Sequence, residues 1–199
     1  MPADRTARRL LLALLLVARG TATQAGPLQD AQAAYDRGRY AAALEIWQPL
    51  AEQGDPDAQV GLGNLYLGGY GISRDEATAM AWFRKAAAQG SSNGQFSLGS
   101  LYYARKDHAA AASWFQRASE QGNALAQVRL AGLYAEGLGV PRDDVQAYKW
   151  FAIAAERGAD AYARSNAAHG RDATARKLTA AQVAQADRVA REWKPKPER

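Results

Sequence analysis

Leu65–Gly90 reads LYLGGYGISRDEATAMAWFRKAAAQG, and Leu133–Gly158 reads LYAEGLGVPRDDVQAYKWFAIAAERG. Leu, Tyr, two glycines, Arg, Asp, Ala, the Trp-Phe pair, Ala-Ala and a closing Gly fall in the same register in both. Taken alone, the glycines around Tyr70 suggest a loop that cradles phosphate. A Walker loop, however, carries Gly-Lys-Ser/Thr ahead of a helix, and a dinucleotide loop follows a strand. Here a helical stripe precedes the loop and no Lys-Ser/Thr follows it. A feature that occurs twice at one spacing reads as architecture before chemistry, a turn joining two helices.

Tryptophan measures the repeat. Trp-Phe pairs begin at Trp82, Trp114 and Trp150, at intervals of 32 and 36 residues. A Leu-x-x-Leu-Tyr element opens at Leu62, Leu98 and Leu130, preceding each Trp by 20, 16 and 20 residues. The middle unit is therefore four residues shorter. The loss falls where Leu101–Asp107, LYYARKD, replaces the glycine loop, so a tighter turn is expected there.

Each unit reads as a helical pair. The first helix carries Leu, Leu and Tyr at i, i+3 and i+4, one apolar stripe. The second begins at Asp75, Asp107 or Asp143, each able to cap exposed backbone N–H groups. Glu76 and Asp144 add negative charge to the first turn, where the helix dipole favours it. Alanines recur three residues before and four after each Trp, on the Trp face. Small side chains there permit close helix approach, with Trp expected to fill the space between repeats. Gly90, Gly122 and Gly158 are expected to end the second helices in the left-handed conformation.

The array, residues 28–160, opens with a degenerate cap unit at 28–54, followed by repeats at 58–90, 94–122 and 126–158. In the cap unit, Ile46 takes the Trp position and Trp47 the Phe position. Beyond Asp160 the pattern relaxes. Ala161–Ala168 reads as one more short first helix, and Thr179 with Gln182 forms a capping box. Val183, Ala186, Ala190 and Trp193 then form an apolar stripe. Residues 161–193 are expected to cover the open end of the array, as terminal repeats must. Residues 194–199, KPKPER, are expected to be disordered.

The N-terminus carries Arg5, Arg8 and Arg9, then LLLALLLVA from Leu10 to Ala18. That apolar run is too short for a bilayer span, which takes about 20 residues, and suits the core of a secretory signal. Residues 1–25 are read as a cleavable signal, cut after Ala25 or at Ala22, which directs the chain to a bacterial periplasm. Residues 26–160 hold 12 basic and 15 acidic residues, whereas 161–199 hold 9 and 4. The net charge of +5 thus reflects a basic tail, not a basic body. In an exported chain such a tail reads as a solvated segment or an envelope contact, with no nucleic-acid partner. The absence of cysteine excludes disulfides, thiolate nucleophiles, thiolate-bound zinc and a lipoprotein anchor.

These residues resemble the Sel-one-like repeat, a relative of the tetratricopeptide repeat. Leu62, Gly63, Leu65, Tyr66, Gly69, Gly71, Asp75, Ala79, Trp82, Phe83, Ala86, Ala87 and Gly90 match one unit of its pattern. The unit from Leu130 to Gly158 matches as densely, and the middle unit matches without the glycine loop. The resemblance implies an all-α fold, an α-α solenoid that serves as an adaptor for other proteins. For exported bacterial members it implies roles in envelope assembly, polysaccharide export or host interaction.

Candidate chemistry is sparse. His108 and His169 stand 61 residues apart with no H-E-x-x-H spacing, and read as solvated surface residues. No Gly-x-Ser-x-Gly elbow and no Ser-x-x-Lys occurs. The expected function is a periplasmic, non-catalytic scaffold with no cofactor and no metal. It would bind a protein or peptide on the concave face that first helices line in such solenoids. Gln59, Asn64, Gln95, Ser100, Gln127 and Arg129 are the candidate contact residues there. The alternative is an envelope hydrolase or a peptidoglycan- or glycan-binding protein of the β-lactamase-like exported repeat type.

Overall fold

A computed structural model describes residues 26–159 and 161–196. The expected signal at 1–25 and the last three residues of the tail lie outside that range. Ten helices and no strand occur among the described residues. They are α1 (Pro27–Asp36), α2 (Tyr40–Glu52), α3 (Pro56–Gly68), α4 (Glu76–Ala88), α5 (Ser92–Ala104), α6 (His108–Glu120), α7 (Ala124–Glu136), α8 (Asp144–Arg157), α9 (Ala161–Ala175) and α10 (Ala180–Glu192). Each helix packs on the next through α9, and first helices also meet across units, α3 on α5 and α7 on α9. The result is an all-α solenoid of stacked helical pairs.

The helix starts follow the chain's short polar residues. Asp75 accepts from the amides of Ala77 and Thr78, and Asp143 from those of Val145 and Gln146. Asp107 accepts only from Ala110, at 3.1 Å. First helices start two residues earlier than the spacing suggested, because Asp55, Ser91 and Asn123 cap them. The Asp75 carboxyl is held below the ordinary carboxylate range, first by the Thr78 hydroxyl and then by the amides it accepts from.

The joints between units rest on the glycine loops. Gly69, Gly71, Gly137 and Gly139 all have φ between +68° and +71°, a region that only glycine enters freely. Gly71 lies against the backbone of Tyr40 and Ala41, and Gly139 against that of His108 and Ala109. Each glycine loop thus sits on the start of the preceding unit's second helix. Tyr70 stacks on Tyr40 there, with ring centroids 4.7 Å apart.

As expected, the Trp rings pack between repeats, Trp82 against the cap unit's core and Trp114 against the core of the unit before it, and Trp150 is buried in the last unit. Phe83 and Phe115 are fully buried, while Trp82 and Trp114 are only half-buried. Phe83 lies where a Cβ on Gly63 would stand, and Phe115 where one on Gly99 would. The flat ring can therefore touch the first helix's backbone. Trp82 and Trp114 lie under the cations of Lys85 and Arg117, at 3.8 and 4.6 Å. Trp47, in the Phe position of the cap unit, is buried as that alignment implies.

The C-terminal end differs from expectation in four respects. Gly158 ends α8 in an extended conformation, and what makes it glycine is the Ala154 carbonyl, 2.6 Å from any Cβ placed there. α9 continues to Ala175, well beyond Ala168. α10, with its capping box at Thr179 in place, folds back onto α8. Tyr148 donates to Asp187 at 2.9 Å, and Trp193 meets Trp150 edge-on at 6.1 Å. Burial and that bond to Asp187 push the Tyr148 hydroxyl up to about 12. The first residues of the expected disordered tail are placed: the Lys196 amide donates to the Glu120 carbonyl at 2.8 Å.

Candidate protein-binding groove

Three cavities open on the face formed by the first helices. One, of about 570 Å³, is lined by Phe96 of α5, Leu125, Val128 and Arg129 of α7, and Tyr162, Ala163 and Asn166 of α9. A second, about 210 Å³, shares Val128 and Arg129 and adds Tyr103, Gly132 and Glu136. The two form one groove along α7. The third, about 330 Å³, lies between α1 and α3 and includes Gln29, Gln32, Asp57, Asn64 and Asn93.

Repeat register explains what faces the groove. Val60, Phe96 and Val128 occupy one position of the three first helices; Phe96 and Val128 give the α7 groove an apolar floor, and Val60 lines the α1–α3 cavity. Asp57, Asn93 and Leu125 occupy another, so the lining passes from acidic to amide to aliphatic along the array. Tyr162 of α9 then stands at the rim, 72% exposed, beside Leu125 at 37%. Exposed aromatic and aliphatic groups around a cleft suit capture of another protein's side chains.

The six candidate contact residues divide. Gln59, Gln95 and Gln127 are buried, and the expectation that they present to a partner is corrected. Gln59 donates to the Ala51 carbonyl of α2 at 3.2 Å, and Gln127 to the Ser119 carbonyl of α6 at 3.1 Å. Gln89 donates to Gln59, and Gln121 to Gln95, each at 2.9 Å. The glutamines stitch each first helix to the second helices beside it. Ser100 turns its hydroxyl to the Phe96 carbonyl of its own helix, at 2.9 Å. Asn64 lines the α1–α3 cavity, and Arg129 lines both cavities of the α7 groove. The sequence reading missed Leu125, Val128, Gly132, Glu136 and Tyr162. For Leu125, Gly132 and Glu136 the signal was variation from unit to unit at a fixed register.

The histidines do not form a site. His108 is half-buried, edge-on to Tyr103 at 5.1 Å and beneath Gly139, which corrects its reading as solvated. His169 is exposed, with Nδ1 2.8 Å from the Ser165 carbonyl. Among the described residues no three His, Asp or Glu side chains gather as a metal site requires, and no helix is long and apolar enough to cross a membrane.

The sequence matches the Sel1 repeat family model at residues 56–91, 92–123 and 124–158. No curated protein matches the chain. Among solved structures, a Sel1 repeat protein from Oxalobacter formigenes is 34% identical, with a TM-score of 0.55, over 63% of this chain and 97% of that one. The protein c5321, described as a protective antigen of uropathogenic Escherichia coli with an SLR fold, is 28% identical, with a TM-score of 0.46, over 97% of this chain. The chain spans 49% of that antigen's length.

Proposed function

The chain belongs to the Sel1 repeat family, a family of protein-interaction scaffolds, and from that premise we propose that it is an exported, periplasmic adaptor without catalysis of its own. Its partner is a protein held along the first-helix face. The observation that carries this reading is the groove along α7, an apolar floor with Tyr162 and Leu125 exposed at its rim. Stacked helices fastened by buried glutamines and loop contacts hold that groove before the partner arrives, which lowers the entropy cost of association. The charged start and short apolar run at Arg5–Ala18 support export.

Site-specific photo-crosslinking in living cells tests both parts. A crosslinker at Tyr162 or Asn166 is expected to trap one defined partner in the periplasmic fraction, and one at Arg84 on α4 is not. Capture from Arg84 alone would overturn the groove assignment. Cytoplasmic protein that retains Met1 would overturn export.

A further inference from the structure

The groove along α7 holds two charges that nothing in the fold engages. Arg129 makes no hydrogen bond or ion pair among the described residues, and neither does Glu136, so both are open to a partner. Arg129 is exposed between the apolar walls of Phe96, Leu125 and Val128. The two charges lie seven residues apart on one helix, about 10 Å along its axis.

Between them lies Gly132. Glycine inside a helix is destabilising relative to alanine, so it calls for a reason. Gly63 and Gly99 have one, since phenylalanine rings occupy the space a Cβ would need. Gly132 has none within the fold: a Cβ there would meet no atom within 4 Å. Its register is that of Asn64 and Ser100, so a side chain is tolerated at that position elsewhere in the array. A bare backbone facing an open groove is what close approach of another main chain requires.

We infer that the occupant is an extended peptide segment carrying an acidic residue over Arg129 and a basic residue about three positions along, over Glu136. An extended chain in the polyproline II form advances about 3.1 Å per residue and returns its side chains to one face every three residues, so three residues span the separation of the two charges. A bulky apolar side chain on the outer side of the acidic residue enters the cavity of about 570 Å³ between Phe96, Leu125 and Tyr162. The peptide backbone passes over Gly132. Glu136 opposes polyacidic stretches, so selection is for mixed charge at set spacing. The inference rests on the groove as the place of partner binding and specifies that partner's chemistry.

The test is selection from a random dodecapeptide phage library on the protein purified as the cell produces it. Affinities of the enriched peptides, made synthetically with a fluorescein label, are then measured by anisotropy. The enriched set is expected to share an acidic and a basic residue three positions apart beside a bulky apolar one. Arg129→Ala is expected to weaken that peptide at least about tenfold, and Glu136→Lys to select against its basic residue. Gly132→Ala is expected to raise Tm yet weaken binding about tenfold, a combination that a merely structural glycine would not produce. Enriched peptides without an acidic residue, or unmoved by Arg129→Ala, overturn the inference while leaving the scaffold reading intact. No enrichment overturns it as well. If crosslinking from Tyr162 and Asn166 also traps nothing, the groove reading falls with it. Gly132→Ala that raises Tm at unchanged affinity overturns the close approach.

Discussion

The outer repeats and the middle repeat solve one problem in two ways. Seven residues join α3 to α4 and α7 to α8, whereas Arg105–Asp107 suffice between α5 and α6. The long loops lie on the start of the preceding second helix, Gly71 against Tyr40 and Gly139 against His108. The short turn cannot reach that far. Instead its Arg105 extends to Glu76 in the first turn of α4, at 2.8 Å, with a further contact to the Met80 sulfur. Packing holds the outer joints and an ion pair holds the middle one. The helix caps follow the same division, two amides each for Asp75 and Asp143 and one for Asp107.

The difference is sharpest at the loop glycines. Gly139→Val places a Cβ 2.2 Å from the His108 carbonyl carbon, at a φ of +71°. A β-branched residue there combines backbone strain with overpacking, and about 3 kcal/mol or more should be lost in urea unfolding. Gly71→Val meets its neighbours at 3.1 Å and should cost less, about 2 kcal/mol. Equal costs would show that strain in φ matters and the joint does not. Capping comes next. Asp143→Ala should cost about 1–2 kcal/mol and Asp107→Ala about 0.5 kcal/mol, both within the usual range for caps.

Acid probes the same caps without mutation. The Asp75 carboxyl lies lower in the folded protein than in the unfolded chain, so its contribution is present above the unfolded value near 3.8 and is lost as pH falls through the lower folded value. Protection of the Ala77 and Thr78 amides, taken relative to their intrinsic exchange rate at each pH, should therefore fall below about pH 4, before global unfolding. Loss of the Arg105–Glu76 pair is a smaller effect. Arg105→Ala should cost about 0.2–1 kcal/mol, and the cost should shrink in 1 M salt, since both partners are well exposed. A loss unchanged by salt would mean that the arginine stem packs on α4 and its charge is incidental. The smallest effect is expected at Lys106, the only non-glycine with positive φ among the described residues, at +63°. Lys106→Gly should stabilise by about 0.5 kcal/mol, relief of strain slightly exceeding the added freedom of the unfolded chain.

Reading the sequence succeeded where one unit could be checked against another. The glycine loop was recognised as a turn because it recurs, and Asp75, Asp107 and Asp143 as caps because each precedes its Trp by seven residues. The same reasoning applied to Gln59, Gln95 and Gln127 would have marked them as structural, since each stands three residues before a matched leucine. Their polarity obscured that register, although a buried glutamine is stable when it bonds a neighbouring carbonyl. The reverse holds for Asp57, Asn93 and Leu125, which share a register, are exposed and differ in chemistry. Position-to-position variation within a fixed frame marks the face free to acquire specificity.

Periodicity and caps are local, so the sequence by itself determined the helical pair, its turns, the starts of its second helices and the number of its copies. Tertiary structure decided which ring lies against a bare helix backbone, Trp47 on Gly61, Phe83 on Gly63 and Phe115 on Gly99. It decided that α10 turns back onto α8, where Tyr148 and Trp150 receive it. It also decided the groove, whose walls come from α5, α7 and α9. No single unit's pattern encodes how three units stand against one another, because that arrangement is set by contacts between them.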